Sequence, residues 1–236
     1  MTTGLNTSCS PLAGRTIENG SCLAVAFDMD GLMFDTEAVY DKTATELLGR
    51  RGYEYTEELR LEIMGRPPEF CFRRMVEVYS LKESWQEISK ENEEIFLELL
   101  KDGYETTPGL LELFDELERR NIPKCVCTSS KKIVANEVLK KHDVYKRLDF
   151  VLTSEDVVNG KPHPEVYLKA AERFGTAPES MLVLEDSTTG SRAAVAAGSP
   201  CCMLRASHNA LADFSCASVI VERLDAPELL SLLRGY

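Results

Sequence analysis

Apolar positions along this chain follow two patterns. Short continuous runs occur at Leu23-Ala-Val-Ala-Phe27, Lys124-Cys-Val-Cys-Thr128, Phe150-Val-Leu-Thr153, Met181-Leu-Val-Leu184 and Cys201-Cys-Met-Leu204, with a weaker one at Ser218-Val-Ile-Val221. Runs of this length without polar alternation read as strands buried on both faces. Between them, apolar residues recur at helical spacing. Gly109 to Arg120 carries Leu110, Leu113, Phe114 and Leu117, and Pro164 to Phe174 carries Val166, Ala170 and Phe174. Thr188 to Ala197 is alanine-rich and stops at Gly198, a helix C-terminal signal. Strand and helix in alternation predict an α/β fold, with a parallel sheet covered by helices on both faces.

The segment 36–103 breaks that alternation. It is charged, lacks strand-like runs and carries Ile88, Ile95, Phe96, Leu99 and Leu100 at helical spacing. Gly65-Arg66-Pro67-Pro68 interrupts it, and Gly103 to Gly109, with Pro108, marks the return to the sheet. The segment is too long for one crossover helix, so we expect an inserted helical cap over 36–103. The sheet domain is then 21–35 plus 104–236. Residues 1–20 are polar and aperiodic, and read as a mobile tail.

Charge narrows the partners. The formal net charge is −12, from 39 acidic and 27 basic residues, which disfavours nucleic acid and anionic membranes. Such a surface also repels phosphorylated compounds, so any phosphate site has to be built locally from a metal ion, a few cations and backbone N–H groups. No stretch has the length of a signal peptide core or a membrane span. The eight cysteines show no Cys-x-x-Cys or zinc-type spacing, and several lie in strand runs. They read as small core residues in a reducing cytoplasm, where we expect the protein to reside as a monomer or weak homodimer.

Candidate chemistry gathers at the C-terminal ends of the predicted strands, where open parallel sheets bind ligands. Asp28 and Asp30 follow the first run; Thr128, Ser129 and Ser130 close the second; Lys161 follows the third; Glu185 and Asp186 follow the fourth. Asp28, Asp30 and Asp186 offer hard oxygen ligands suited to Mg²⁺. A carboxylate can attack phosphorus, a second can protonate the leaving oxygen, and Lys161 with a hydroxyl such as Thr128 can hold the phosphoryl oxygens. Gly31 lets the chain turn beside the substrate. Neither a calcium loop with its glutamate at position 12 nor a Gly-x-x-x-x-Gly-Lys-Ser/Thr loop is present.

Taken in order, four segments carry a resemblance. Phe27-Asp-Met-Asp-Gly-Leu-Met-Phe-Asp-Thr36, Thr128-Ser-Ser130, Lys161-Pro-His-Pro-Glu165 and Leu184-Glu-Asp-Ser187 resemble the four motifs of the haloacid dehalogenase-like (HAD) hydrolases, over residues 23 to about 222. The insertion after the first motif is similar to the C1 cap of subfamily I. The resemblance implies a Rossmann-like core with a helical lid. It also implies roles: Asp28 as nucleophile and metal ligand, Asp30 as general acid/base with its carbonyl on Mg²⁺, and Thr128 and Lys161 on the phosphoryl group. Asp186 would complete the metal site, with Glu185 in support. Asp30 argues against dehalogenation, because dehalogenases of this superfamily lack the second aspartate.

The expected activity is therefore Mg²⁺-dependent hydrolysis of a small phosphorylated metabolite, with Asp28-Met-Asp-Gly-Leu32 and the following Thr36-Glu-x-x-Tyr40 resembling phosphatases of sugar or nucleoside phosphates, pseudouridine-5′-phosphatase-like members included. A β-phosphoglucomutase-like mutase is the alternative. Those enzymes carry a histidine where this chain has Tyr40, and their cap lysine has no clear match. A non-catalytic binding protein on the same fold is a third reading. Arg66 in the cap break is a candidate substrate contact or a surface arginine. Lys131 is a candidate for a distal substrate group or a helix-start lysine. Glu37 and Tyr40 stand where the cap begins and are candidates to face the cleft, while Met33 and Trp85 read as packing residues.

Overall fold

The computed structural model describes residues 22–64 and 66–233; the expected tail over 1–20, Cys9 and Gly65 of the cap break lie outside them. Six strands form one all-parallel sheet: β1 (Ala24–Phe27), β2 (Lys124–Cys127), β3 (Phe150–Leu152), β4 (Met181–Glu185), β5 (Cys201–Leu204) and β6 (Val219–Val221), in the order β3-β2-β1-β4-β5-β6. Each coincides with one of the apolar runs to within a residue or so. The weaker run is the edge strand β6, whose side chains are only partly covered. At an edge, fewer positions need to be apolar.

Alternation along the strands sorts the side chains between two cores. Val25, Phe27, Val126, Leu182, Leu184, Cys202 and Leu204 face one side, where α5 (Leu110–Arg119), α6 (Lys132–Leu139) and α9 (Pro227–Leu232) bring Leu113, Phe114, Val138 and Leu229. Ala24, Ala26, Cys125, Cys127, Met181, Val183, Cys201 and Met203 face the other, under α7 (Glu165–Phe174) and α8 (Thr188–Ala197). The cysteines of the strands are thus small core residues, as composition suggested. Helix ends follow local chemistry: Ser187 caps the start of α8, and Gly175 and Gly198 end α7 and α8 in the left-handed region at φ 68° and 87°.

Residues 37–99 form four helices: α1 (Glu37–Gly49), α2 (Glu57–Ile63), α3 (Pro68–Tyr79) and α4 (Trp85–Leu99). Arg66 and Pro67 of the break fall between α2 and α3, Pro68 opens α3, and Ser84 and Glu87 form a capping box at the start of α4. Leu47, Leu48, Leu59, Met75, Ile88 and Ile95 make a third apolar cluster of their own. The chain leaves and rejoins the sheet side by side. Thr107 N–H donates to the Met33 carbonyl and Asp35 N–H to the Glu105 carbonyl, each at 2.9 Å. No helix among the described residues is long and apolar enough to cross a membrane.

Candidate active site

Strand order explains why the site assembles where it does. β1 lies between β2 and β4, so Asp28 emerges between Thr128 on one side and Glu185–Asp186 on the other. Asp28 continues the Ala24–Ala26 alternation and Glu185 the Met181–Val183 alternation, onto the face covered by α7. Lys161, in the loop before α7, and Tyr167, on it, approach from that side.

Lys161 is the hub. Its buried ammonium donates to Asp28 Oδ1 at 2.5 Å, to Glu185 Oε1 at 2.6 Å and to the Cys127 carbonyl at 2.9 Å. Burial opposes its charge, yet Asp28 and Glu185 outweigh that and hold the lysine firmly protonated. Glu185 is fully enclosed (0% exposed), and both its oxygens are occupied. Oε1 accepts from Lys161 and from the Tyr167 hydroxyl at 2.6 Å. Oε2 accepts from Asp186 N–H, Ser187 N–H and the Ser187 hydroxyl, at 3.2, 3.3 and 3.0 Å.

Asp30 keeps different company. Its Oδ1 accepts from the Thr36 hydroxyl at 2.9 Å and its Oδ2 from the Ser130 hydroxyl at 2.7 Å. Burial raises its carboxyl above the ordinary range, and these hydroxyls offset only part of the rise. Ser130 also lies 3.4 Å from the Tyr40 hydroxyl, and the Tyr40 ring stacks on Phe96 of α4 with centroids 4.4 Å apart. Thr128 Oγ1 accepts from Ser130 N–H at 3.0 Å, which leaves its own proton available to a ligand.

Asp28, Glu185 and Asp186 bring ligand oxygens within 4.8 Å of one another. Burial, and then mutual repulsion, push the carboxyls of Asp28 and Asp186 upward. Lys161 is shared between Asp28 and Glu185, so this buried cluster is short of positive charge. A hard divalent cation fits that donor set and that deficit.

The other expected residues fall into place around a cleft of about 1230 Å³, lined on the sheet side by Asp28, Thr128 and Lys161 and on the helical side by Tyr40, Arg66 and Trp85. Glu37, Ser129, Ser130 and Lys131 also line it. Lys131 reaches across to Glu93 of α4 at 2.8 Å. Arg66 is exposed and lies over the Phe70 ring, 5.4 Å from its centroid. Trp85, read from sequence as packing, lies under the Arg73 guanidinium at 5.1 Å and faces the cleft. Gly31, expected beside the substrate, gives its N–H to the Phe34 carbonyl instead. What that position requires is space: with φ at 79°, a Cβ there would lie 2.3 Å from Asp186 Oδ2.

Sequence reasoning missed three contributors: His208, whose Nε2 lies 2.9 Å from Asp186 Oδ2, Asn209, which bonds the Asp186 carbonyl at 2.9 Å, and Tyr167. Tyr167 was visible only as an aromatic on the buried face of a helix. His208 and Asn209 lie after β5, in a segment with no periodicity to mark it.

Known proteins resemble this chain over most of its length. The haloacid dehalogenase-like hydrolase family matches residues 25–204. A phosphorylated carbohydrates phosphatase from Thermotoga maritima is 36% identical over 179 residues, covering 74% of this chain and 81% of that protein. A Drosophila melanogaster protein named as a probable pseudouridine-5′-phosphatase is 35% identical over 178 residues, covering 73% and 77%. Among solved structures, that of CbbY from Rhodobacter sphaeroides in complex with phosphate superposes with a TM-score of 0.77 over 86% of this chain and 95% of that one, at 22% identity, which bears on the fold alone. The chain belongs to the haloacid dehalogenase-like hydrolases and is an enzyme of that family.

Proposed function

We propose that the chain is a Mg²⁺-dependent phosphatase that hydrolyses a small phosphomonoester of the sugar or nucleoside phosphate class through an aspartyl-phosphate on Asp28. The observation that carries this reading is the contrast between two neighbouring aspartates. Asp28 is paired with the Lys161 ammonium at 2.5 Å, whereas Asp30 is held by the hydroxyls of Thr36 and Ser130, with no cation against it. The cation beside Asp28 favours its ionised, attacking form, and the neutral partners of Asp30 let it carry a proton. The names of the relatives, phosphatases of phosphorylated carbohydrates and of pseudouridine 5′-phosphate, support the substrate class.

In the first step an oxygen of Asp28 bonds to phosphorus as the bond to the substrate oxygen breaks, and Asp30 gives its proton to that leaving oxygen. Thr128 and Lys161 hold the equatorial oxygens, where charge accumulates. In the second step Asp30, now ionised, takes a proton from water as the water oxygen bonds to phosphorus. The Asp28–phosphorus bond breaks and inorganic phosphate leaves. Asp28, Asp186 and the Asp30 carbonyl would hold Mg²⁺, which when bound supplies positive charge against the phosphoryl oxygens. With both its oxygens already engaged, Glu185 serves this scheme by fixing Lys161 and the backbone of Asp186 and Ser187.

Residues 36–103 act in this reading as a cap that closes the cleft over the substrate, with the paired segments around Met33–Asp35 and Glu105–Thr107 as its hinge. Tyr40, stacked on Phe96 and near Ser130, occupies the place of the mutase histidine, so water is the favoured acceptor. We place the enzyme in the cytoplasm, consistent with the strand cysteines Cys125, Cys127, Cys201 and Cys202, which are thiols buried in the core.

The test is phosphate release from a panel of sugar and nucleoside monophosphates, with Mg²⁺ and with EDTA. We expect release with Mg²⁺ only, and none from Asp28→Asn. Turnover surviving in Asp28→Asn would overturn the covalent mechanism, and isomerisation of a hexose 1-phosphate without release would favour the mutase.

A further inference from the structure

Three loops at the ends of β1, β4 and β5 converge on one oxygen, Asp186 Oδ2. From β5 comes the one-turn helix Ser207–Asn209, which presents His208 Nε2 at 2.9 Å. From β1 comes Gly31, where any Cβ would lie 2.3 Å from Oδ2 and 3.0 Å from His208 Nε2. The turn that carries His208 is itself fixed. The buried Asn209 amide donates to the Asp186 carbonyl at 2.9 Å and to the Leu204 carbonyl at 2.8 Å, while its Oδ1 accepts from Ala206 N–H at 2.9 Å. One side chain therefore ties the histidine's loop to both the end of β5 and the backbone of its target.

We propose that His208 is a positioning residue for the metal site, acting through Asp186. This rests on the reading that Asp28 and Asp186 hold Mg²⁺. An ionised carboxylate only accepts, so Nε2 carries the donated proton. With Oδ2 held by the imidazole, in space that exists because Gly31 has no Cβ, the carboxylate is fixed in one orientation, and Oδ1 is the oxygen left available to a cation. Without His208 the side chain can rotate, and binding has to order it first. Partners that orient metal-ligating groups in this way contribute heavily to affinity, and their loss weakens binding by about 10–100-fold.

The experiment is calorimetric titration of the full chain with Mg²⁺ alone, with no phosphorylated compound present, for wild type, His208→Ala and His208→Gln. The proposal expects the alanine variant to bind Mg²⁺ about 10–100-fold more weakly, and glutamine, which keeps an N–H donor of similar reach, to recover most of the loss. Metal-free thermal midpoints near the wild-type value show that both variants are folded. If the alanine variant does not fold, His208→Asn, polar but shorter, replaces it in the comparison with glutamine. Unchanged affinity in the alanine variant overturns the proposal, as does tighter binding, which would make His208 a competitor of the cation. Glutamine no better than alanine also overturns it. Wild type that binds no Mg²⁺ removes the metal reading itself, whereas the other adverse outcomes leave that reading standing.

Discussion

Gly190 lies outside every motif that marks this family in the sequence, yet its replacement should disable the enzyme. It is the third residue of α8, and its N–H is taken by the Ser187 hydroxyl at 3.0 Å. Glycine to alanine in a helix ordinarily stabilises by up to about 1 kcal/mol. Here an added Cβ would lie 1.8 Å from Glu185 Oε1 and 2.2 Å from Oε2. Side-chain ends usually move aside, but this carboxylate is fully buried and occupied at both oxygens, so displacing it breaks its pairing with Lys161. Removing one partner from a buried ion pair costs roughly 3–5 kcal/mol. Lys161 keeps Asp28, which argues for the lower end, about 3 kcal/mol. Set against about 1 kcal/mol of helix propensity, the net loss is about 2 kcal/mol, or a fall of roughly 4–8 °C in midpoint for a protein of this size. The assay is thermal denaturation of Gly190→Ala beside Gly49→Ala, because an added Cβ at Gly49, also in a helix, meets nothing within 4 Å. Gly49→Ala should be neutral or stabilising. Turnover of Gly190→Ala should fall together with its stability, because Lys161 loses its second anchor. A midpoint for Gly190→Ala at or above wild type would refute the argument that Glu185 is immobile.

Other expectations are simpler. Burial, then Asp186, hold the Glu37 carboxyl up at about 7 from an ordinary 4.5. Its contribution to stability is intact below 4.5 and is lost as pH rises through 7, because the unfolded chain ionises first; in EDTA, the midpoint of Glu37→Gln should fall less over that window than wild type. Ser130→Ala removes the hydroxyl that most moderates the rise at Asp30, so the limb of the kcat profile that reports Asp30 should move to higher pH. The half-exposed Lys131–Glu93 pair should contribute no more than about 1 kcal/mol in a double-mutant cycle on stability, and a larger value would mark it as more than a surface contact.

Much of this was legible in the chain. Residues that must be buried on both faces leave little choice of composition, so β1, β2, β4 and β5 announced themselves, and Gly198 marked the end of α8. The carboxylates at strand ends were legible for the same reason, since their positions follow from where the strands stop. What was not legible depends on approach in space. Glu185 reads as one more acidic residue beside Asp186 until Tyr167, Ser187 and Lys161 are seen to take up its oxygens. His208 gave no signal, because its place is set by a turn that Asn209 closes onto residues of two strands. Gly31 was legible as a turn glycine, but the closeness of Asp186 to it was not.

The position of β1 in the sheet has a further consequence, for synthesis. Val25 pairs with Lys124 and Ala24 with Met181, partners separated in sequence by 99 (124 − 25) and 157 (181 − 24) residues. β1, which leads into Asp28, is the first of the six strands to be synthesised, and the edge that meets β4 stays unpaired until Met181–Glu185 has been made. Contacts this distant in sequence form late and slowly, and an apolar strand left waiting is a hazard for aggregation. The same arrangement means that no nascent chain that stops short of Asp186 can bring Asp28, Lys161 and Asp186 together. A site that needs all three waits for β4, the strand that covers the second edge of β1.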